Sequence, residues 1–126
     1  MRHGTCAAAA IAAALFAFGT AAPAQAGFGA VAYDETSGKY GASWNKPTPA
    51  EANEQALKEC ASEHCRVYPV EPRGCGALAL STKDKDKAWG GADRETLPKA
   101  RSDAIAHCQT HTTAGACTVR VSGCNK

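Results

Sequence analysis

Six cysteines, at positions 60, 65, 75, 108, 117 and 124, carry the most chemistry in this 126-residue chain. They could hold zinc, act as nucleophiles or pair with one another. Structural zinc sites favour cysteines about two to four residues apart, whereas the successive intervals here are 5, 10, 33, 9 and 7. A catalytic thiol needs an unpaired sulfur with a lowered pKa, and once Cys6, the seventh cysteine, is set aside with the N-terminal leader the even count leaves none over. Three disulfides use all six sulfurs, and an oxidising compartment is then required.

The other reactive residue types are weaker candidates. His107 and His111 have the four-residue spacing of a two-histidine metal site. However, Cys108 follows His107 where a zincin has glutamate, and the helix is expected to end near Cys108, leaving His111 in a loop. Solvated histidines favoured by a helix C-terminus are the plainer reading. Asp84 and Asp86 alternate with lysines and lack the glycine and glutamate of a calcium loop. Ser43, Ser81 and Ser122 have no nucleophile-elbow setting, and no lysine-serine or lysine-threonine pair follows Gly74, Gly76, Gly90 or Gly91 to make a phosphate loop. Close strand packing accounts for those glycines. No catalytic residue, metal or cofactor is therefore expected. The aromatic residues remain. Tyr40, Trp44 and Trp89, with Tyr33 and Tyr68, could form a sheet face that binds peptide, glycan or protein, or could simply pack across strands.

Secondary-structure signals say what would position these groups. Phe28 to Tyr33 alternates small and larger apolar residues, Asp34 to Lys39 is turn-forming, and Tyr40 to Trp44 resumes the alternation, which reads as a hairpin. Thr48-Pro49-Ala50-Glu51 is a capping box opening a helix from Pro49 to about Ala61, with Ala52, Ala56, Leu57 and Cys60 as its apolar stripe. A stripe made mostly of alanine implies close approach to a sheet. Cys65 to Val70 is β-rich, and Pro69 places it at an edge or bulge. The plan then recurs: Cys75 to Ser81 as a strand, a polar turn from Thr82 to Lys87, Ala88 to Ala92 as the return strand, a second helix, and a last strand from Ala116 to Ser122. For that helix Thr96 is the cap, because Pro98 falls harmlessly in the first turn only if the helix starts there.

The recurrence is an internal repeat. Gly29 to Ala32 matches Gly76 to Ala79 at an offset of 47, Ala52, Ala56 and Cys60 match Ala100, Ala104 and Cys108 at 48, and Gly74-Cys75 matches Gly123-Cys124 at 49. Two β-β-α-β units, about 27–74 and 75–126, give an α+β fold: an antiparallel sheet covered by two helices about a pseudo-twofold axis. Repeat symmetry constrains the disulfides. Cys60 with Cys65 and Cys108 with Cys117 would each staple a helix to its following strand, and Cys75 with Cys124 would join the repeat ends. The symmetric rival pairing Cys60 with Cys108 and Cys65 with Cys117 requires equivalent positions to meet at the axis.

At the N-terminus, Met1-Arg2-His3, an apolar run from Cys6 to Phe18 and the small residues of Ala24-Gln25-Ala26 read as a signal peptide cleaved after Ala26. Cys6 stands at the start of the apolar run and not at its end, so it has no lipidation box. Residues 27–126 would then be a single secreted or periplasmic domain without a membrane span, small enough that its core alone gives limited stability. The formal net charge of +2 offers no nucleic-acid footprint.

The Gly-Ala-Val-Ala-Tyr opening, Tyr40 to Asn45, the alanine-rich helix ending in Cys60, Cys65-Arg66-Val67 and Gly74 to Ala79 together resemble a bacterial secreted family, domain of unknown function 4189. Trp89-Gly90, followed by a helix ending in Cys108, fits that family's second half. The alternation from Lys83 to Lys87 and the Leu97-Pro98-Lys99 helix start depart from its pattern. The resemblance implies export and a cysteine-stapled fold, and no activity. The function expected is a secreted interaction module with a protein or envelope partner, such as an inhibitor or a host-facing factor. The alternatives are a small envelope hydrolase using carboxylates brought together by the fold, and a periplasmic ligand-binding protein. The last needs an apolar cavity, which alanine-rich helices are not expected to line.

Overall fold

A computed structural model describes residues 27–83, 87–112 and 115–126. The expected leader, residues 1–26, and the Asp84 and Asp86 turn lie outside the described residues. The elements run β1 (Phe28–Tyr33), β2 (Tyr40–Lys46), α1 (Pro49–Cys60), β3 (Arg66–Val70), β4 (Cys75–Ser81), β5 (Trp89–Arg94), α2 (Leu97–Thr110) and β6 (Cys117–Cys124). Each repeat is β-β-α-β. The second return strand starts one residue later than expected and runs to Arg94. Helix α2 continues past Cys108 to Thr110, with His111 as its C-cap rather than a loop residue.

The antiparallel sheet is divided in two. One sheet has the order β2-β1-β3 and the other β5-β4-β6, so each repeat keeps its own three strands. The side-chain pattern of β1 explains the layering, because a strand alternates its faces. Ala30 and Ala32 pack against Ala52, Ala56 and Cys60 of α1, while Val31 and Tyr33 point the other way and meet Leu78 of the second sheet. In the second repeat Ala77 and Ala79 pack against Ala100, Ala104 and Cys108 of α2. The result is four layers, helix, sheet, sheet, helix. The small residues lie in the outer seams and the large ones between the sheets.

The caps follow the chemistry of their residues. Thr48 accepts a hydrogen bond from the Glu51 backbone N–H at 3.2 Å, with Pro49 opening the helix, and Ala61 closes it in the left-handed region at φ 54°. Thr96 occupies the matching place before α2 without a side-chain cap. Pro69 lies on β3, an edge strand, where its missing N–H breaks no ladder bond.

Three disulfides join Cys60 to Cys65, Cys108 to Cys117 and Cys75 to Cys124. The first two tie each helix end to the following strand. The third links β4 to β6 across a paired position. Asn125 extends this join to the other repeat: it accepts from the Asn45 N–H and donates to the carbonyls of Val70 and Glu71. Asp34, buried at the end of β1, accepts from Thr36 N–H and Oγ1, from Ser37 Oγ and from Ser62 Oγ, so one carboxylate fixes the hairpin turn to the loop after α1.

Two outcomes are expected. Because chain-entropy stabilisation grows with loop length, and the separations are 49 and 5 residues, replacing Cys75 and Cys124 by serine should cost about 4 kcal/mol against about 2 kcal/mol for Cys60 and Cys65. Urea unfolding of the two double variants measures both. The hydroxyl bonds, that from Ser62 first, hold the Asp34 carboxyl well below its ordinary value of 3.8. A depressed folded pKa gives stability that is present above the ordinary value and is lost as pH falls below it. The stability difference between the native chain and Asp34→Asn should therefore be level from pH 7 down to about 4 and shrink below that. A difference that stays constant into strong acid would show the charge is not what matters.

Candidate functional site

The pseudo-twofold that relates the repeats also relates the two open edges of the sandwich, and the two edges are finished differently. At one, β2 faces β6, and the Trp44 indole lies close against the backbone of β4 and β6: a Cβ added at Gly123 would come within 2.5 Å of the ring, and one at Gly76 within 3.2 Å. Glycine at both positions is what admits the ring. At the other edge β3 faces β5. Strand pairing sets the equivalence, since Ala30 pairs with Ser43 as Ala77 pairs with Ala92, and Val31 with Ala42 as Leu78 with Gly91. Asp93 thus stands where Trp44 stands, and Gly91 where Ala42 stands. The indole and the methyl that close the first edge are missing from the second, which holds an open cleft of about 800 Å³.

Its floor is aliphatic, formed by Val31, Val70 and Leu78 from between the sheets. One wall is aromatic. Trp89 packs between Tyr33 and Tyr68 at centroid distances of 5.4 and 5.3 Å, both tilted, and its Nε1–H donates to Glu35 at 3.1 Å. Burial, with the negative charge of Glu35 nearby, pushes both tyrosine hydroxyls above their ordinary pKa, so they are neutral donors at physiological pH. The rim is polar. His107 contacts the Gly91 carbonyl through Nδ1 at 2.9 Å; a carbonyl only accepts, so Nδ1 carries the hydrogen. Arg94 reaches Asp103 through Nε at 2.7 Å and its neighbour's carbonyl through Nη1 at 2.7 Å. The Arg94 bond, then that from Lys99, holds the Asp103 carboxyl below its ordinary pKa. Asp93 accepts from the Glu71 N–H at 3.2 Å.

The candidate aromatic face is divided by this geometry. Trp44 and Trp89 are each partly buried and sit at opposite edges, so they form no composite patch. The repeat partner of Trp89 is Tyr40, which is 39% exposed at the start of β2. Trp44 lies towards the end of β2, whereas Trp89 opens β5. The offset of 49 already visible in Gly74-Cys75 and Gly123-Cys124 equates Gly41 with Gly90 and would have paired Tyr40 with Trp89. His107 and His111 both border the cleft, and no group of three or more metal-binding side chains occurs among the described residues. Sequence reasoning missed the aliphatic floor, Lys87 and Arg94, and did not expect an apolar cavity. Its lining comes from the sheet faces and not from the alanine helices.

Fold and site together define a class: a duplicated β-β-α-β sandwich, stapled by three disulfides, with one edge sealed by an indole and the other open as an apolar cleft. The chain belongs to the family described as domain of unknown function DUF4189, whose model matches residues 28–124. It is similar to two Mycobacterium tuberculosis proteins. Rv1269c is 37% identical over 78 residues, covering 62% of this chain and 58% of that protein, and Rv1813c is 39% identical over 78 residues, covering 62% and 50%. The chain therefore spans little more than half the length of these relatives. The solution NMR structure of Rv1813c superposes with a TM-score of 0.60 at 24% identity over 99% of each chain, a likeness of fold.

Neighbouring glycines of β5 should respond oppositely to substitution. A Cβ at Gly90 would lie 2.3 Å from the Cys108 nitrogen and 2.4 Å from the Ala104 carbonyl oxygen, whereas at Gly91 the nearest atom is 3.7 Å away. Gly90→Ala is expected to destabilise by about 3 kcal/mol or more, as overpacking against helix backbone does, and Gly91→Ala to stay within about 0.5 kcal/mol of the native chain. Thermal and urea unfolding of the two variants decide it.

Proposed function

We propose that this chain is a binding module that acts after export, in an oxidising compartment, and takes the apolar part of a ligand or partner into the cleft between β3 and β5. One observation carries the reading: the fold closes one edge with Trp44 and leaves its symmetric counterpart open over an aliphatic floor beside Trp89. Pockets of this size, mostly apolar with a few polar groups at the rim, are where small ligands are held. The three disulfides support the same reading, since a stapled scaffold loses little freedom when it binds. A hydrolase built on paired carboxylates would need two acids converging there; among the described residues lining the cleft, Asp93 is the acid present, and it is committed to the Glu71 N–H.

The test uses protein recovered from the medium or envelope fraction of an exporting host, where a mature N-terminus at Gly27 is expected; an uncleaved chain retained in the cytosol would remove the export half of the reading. A neutral apolar fluorophore, N-phenyl-1-naphthylamine, should brighten on titration and quench Trp89 emission in a Trp44→Phe background. Gly91→Leu, whose side chain would enter the cleft, should abolish that signal while leaving the unfolding midpoint near the native value. Equal binding by the native and Gly91→Leu proteins would place the ligand elsewhere.

A further inference from the structure

We infer that the cleft is a docking groove for an extended peptide, which adds as a further strand to the open edge of β5. This rests on the cleft being a binding site and names its ligand class. The cleft runs along all of β5 and the two residues before it, Lys87 to Arg94, with His107 and His111 of α2 on one side and Tyr68 to Val70 of β3 on the other. A trough over a strand edge, beside a helix, has the shape of one more strand. The backbone of that edge is unpaired. In an antiparallel ladder, bonded and non-bonded pairs alternate. The Ser81 N–H donates to the Ala88 carbonyl, one step beyond the pair of Leu80 with Trp89, so β4 bonds Gly90, Ala92 and Arg94. Trp89, Gly91 and Asp93 therefore turn their backbone groups outward. The Gly91 carbonyl accepts from His107 and the Asp93 carbonyl from Arg94, whereas the N–H groups of Gly91 and Asp93 have no partner among the described residues. A carbonyl keeps a second lone pair, so both backbone groups of Gly91 are open to a peptide.

The other three edge strands carry devices that hinder strand addition. On β3 the ladder to β1 bonds Arg66, Tyr68 and Val70, because the bond from the Asp34 N–H to the Lys39 carbonyl assigns Ala30 and Ala32 to β2. Its outward residues are then Val67 and Pro69, and proline has no N–H to give. On β2 the Asn125 side chain takes the Asn45 N–H, and the register slips beside Phe28. On β6 the register slips opposite Leu78 and Ala79, and Arg120 stands exposed. Strand β5 has an unbroken register and Gly90-Gly91-Ala92 at its centre, with no side chain large enough to shield the backbone. The Trp89 contact with Tyr68 and the bond from the Glu71 N–H to Asp93 bracket Gly91. A peptide residue opposite Gly91 can thus turn an apolar side chain into the cleft beside Val70. A second copy is the poorer occupant. The six residues of β5 span about 20 Å, which suits a peptide but gives too little contact for the roughly 1,200–2,000 Å² that a stable protein interface buries.

The experiment is fluorescence anisotropy of a labelled, end-blocked peptide of alternating valine and threonine, about seven residues long, run beside titration with N-phenyl-1-naphthylamine. The peptide should bind the native protein saturably. A strand added to one edge uses the N–H groups of alternate residues. Methylating the amide nitrogens of the valines, or of the threonines, should therefore weaken binding at least tenfold in one case and leave it near the parent value in the other. Gly91→Pro removes the central outward N–H without touching the ladder to β4, and should weaken peptide binding at least tenfold while naphthylamine binding stays near native. The methylated peptides keep the test readable on the native protein if the proline variant fails to fold. Equal binding of the two methylated peptides, or peptide binding that survives Gly91→Pro, would overturn strand addition. So would a native dimer in sedimentation that Gly91→Pro dissociates, since the edge would then belong to a second copy. Naphthylamine binding without peptide binding would overturn the peptide assignment and leave the cleft as a site; binding of neither would overturn the site itself.

Discussion

The architecture depends on how closely each helix lies on its sheet. Gly41 and Gly90 sit beneath Ala56 and Cys60, and beneath Ala104 and Cys108, so tightly that any Cβ would collide with helix backbone. Backbone meets backbone there, and the outer seams are lined by alanine and cystine sulfur. Four layers fit into so short a chain only because these two seams are thin. The cost is that alanine contributes little apolar area, and hydrophobic stabilisation scales with area. The disulfides at Cys60 and Cys108, placed at the ends of those same seams, offset that shortfall.

Large side chains are then confined to the middle layer. Leu78, fully buried, meets Val31, Tyr33 and Val70 there, and the two sheets pack through this contact. A sandwich of two three-stranded sheets has two long edges, each bringing an edge strand of one sheet beside an edge strand of the other. Edges are where such folds are vulnerable to unwanted pairing. Here they are treated unequally by a pair of substitutions within the repeat: tryptophan and alanine on β2, aspartate and glycine on β5. Duplication supplied two equivalent edges, and divergence at two positions turned one into a seal and the other into a cleft.

That divergence also explains the polar arrangement around the open edge. Once Asp93 replaces an indole, its carboxylate needs donors, and the turn after β3 supplies the Glu71 N–H. Asn125 performs the corresponding task for the C-terminal segment, stitching Asn45, Val70 and Glu71 so that the ends of both repeats are held by one buried amide. The Cys75 to Cys124 link lies beside it. Covalent and hydrogen-bonded ties thus converge where the sandwich would otherwise open, which keeps the cleft a preformed feature.

Much of this was determined by the sequence alone, because it resides in local pattern and in repetition. The strand and helix order, the Thr48 and Thr96 helix starts and the edge position of Pro69 follow from period, capping chemistry and the geometry of proline. Asking a duplicated chain for a symmetric bond set narrows the disulfides to a few pairings, and the tertiary structure selects the one that staples each helix to its following strand. Even the layering was half written in β1, whose small face and large face imply two different neighbours. What only the tertiary structure decided is which neighbour each face receives. An apolar face does not name its partner, so one covered sheet and two stacked sheets satisfy the same alternation. The cleft was invisible for the same reason: Val31, Val70 and Leu78 look like ordinary core residues and are buried as such, and they border a cleft only because β5 carries Gly91 and Asp93 where β2 carries Ala42 and Trp44.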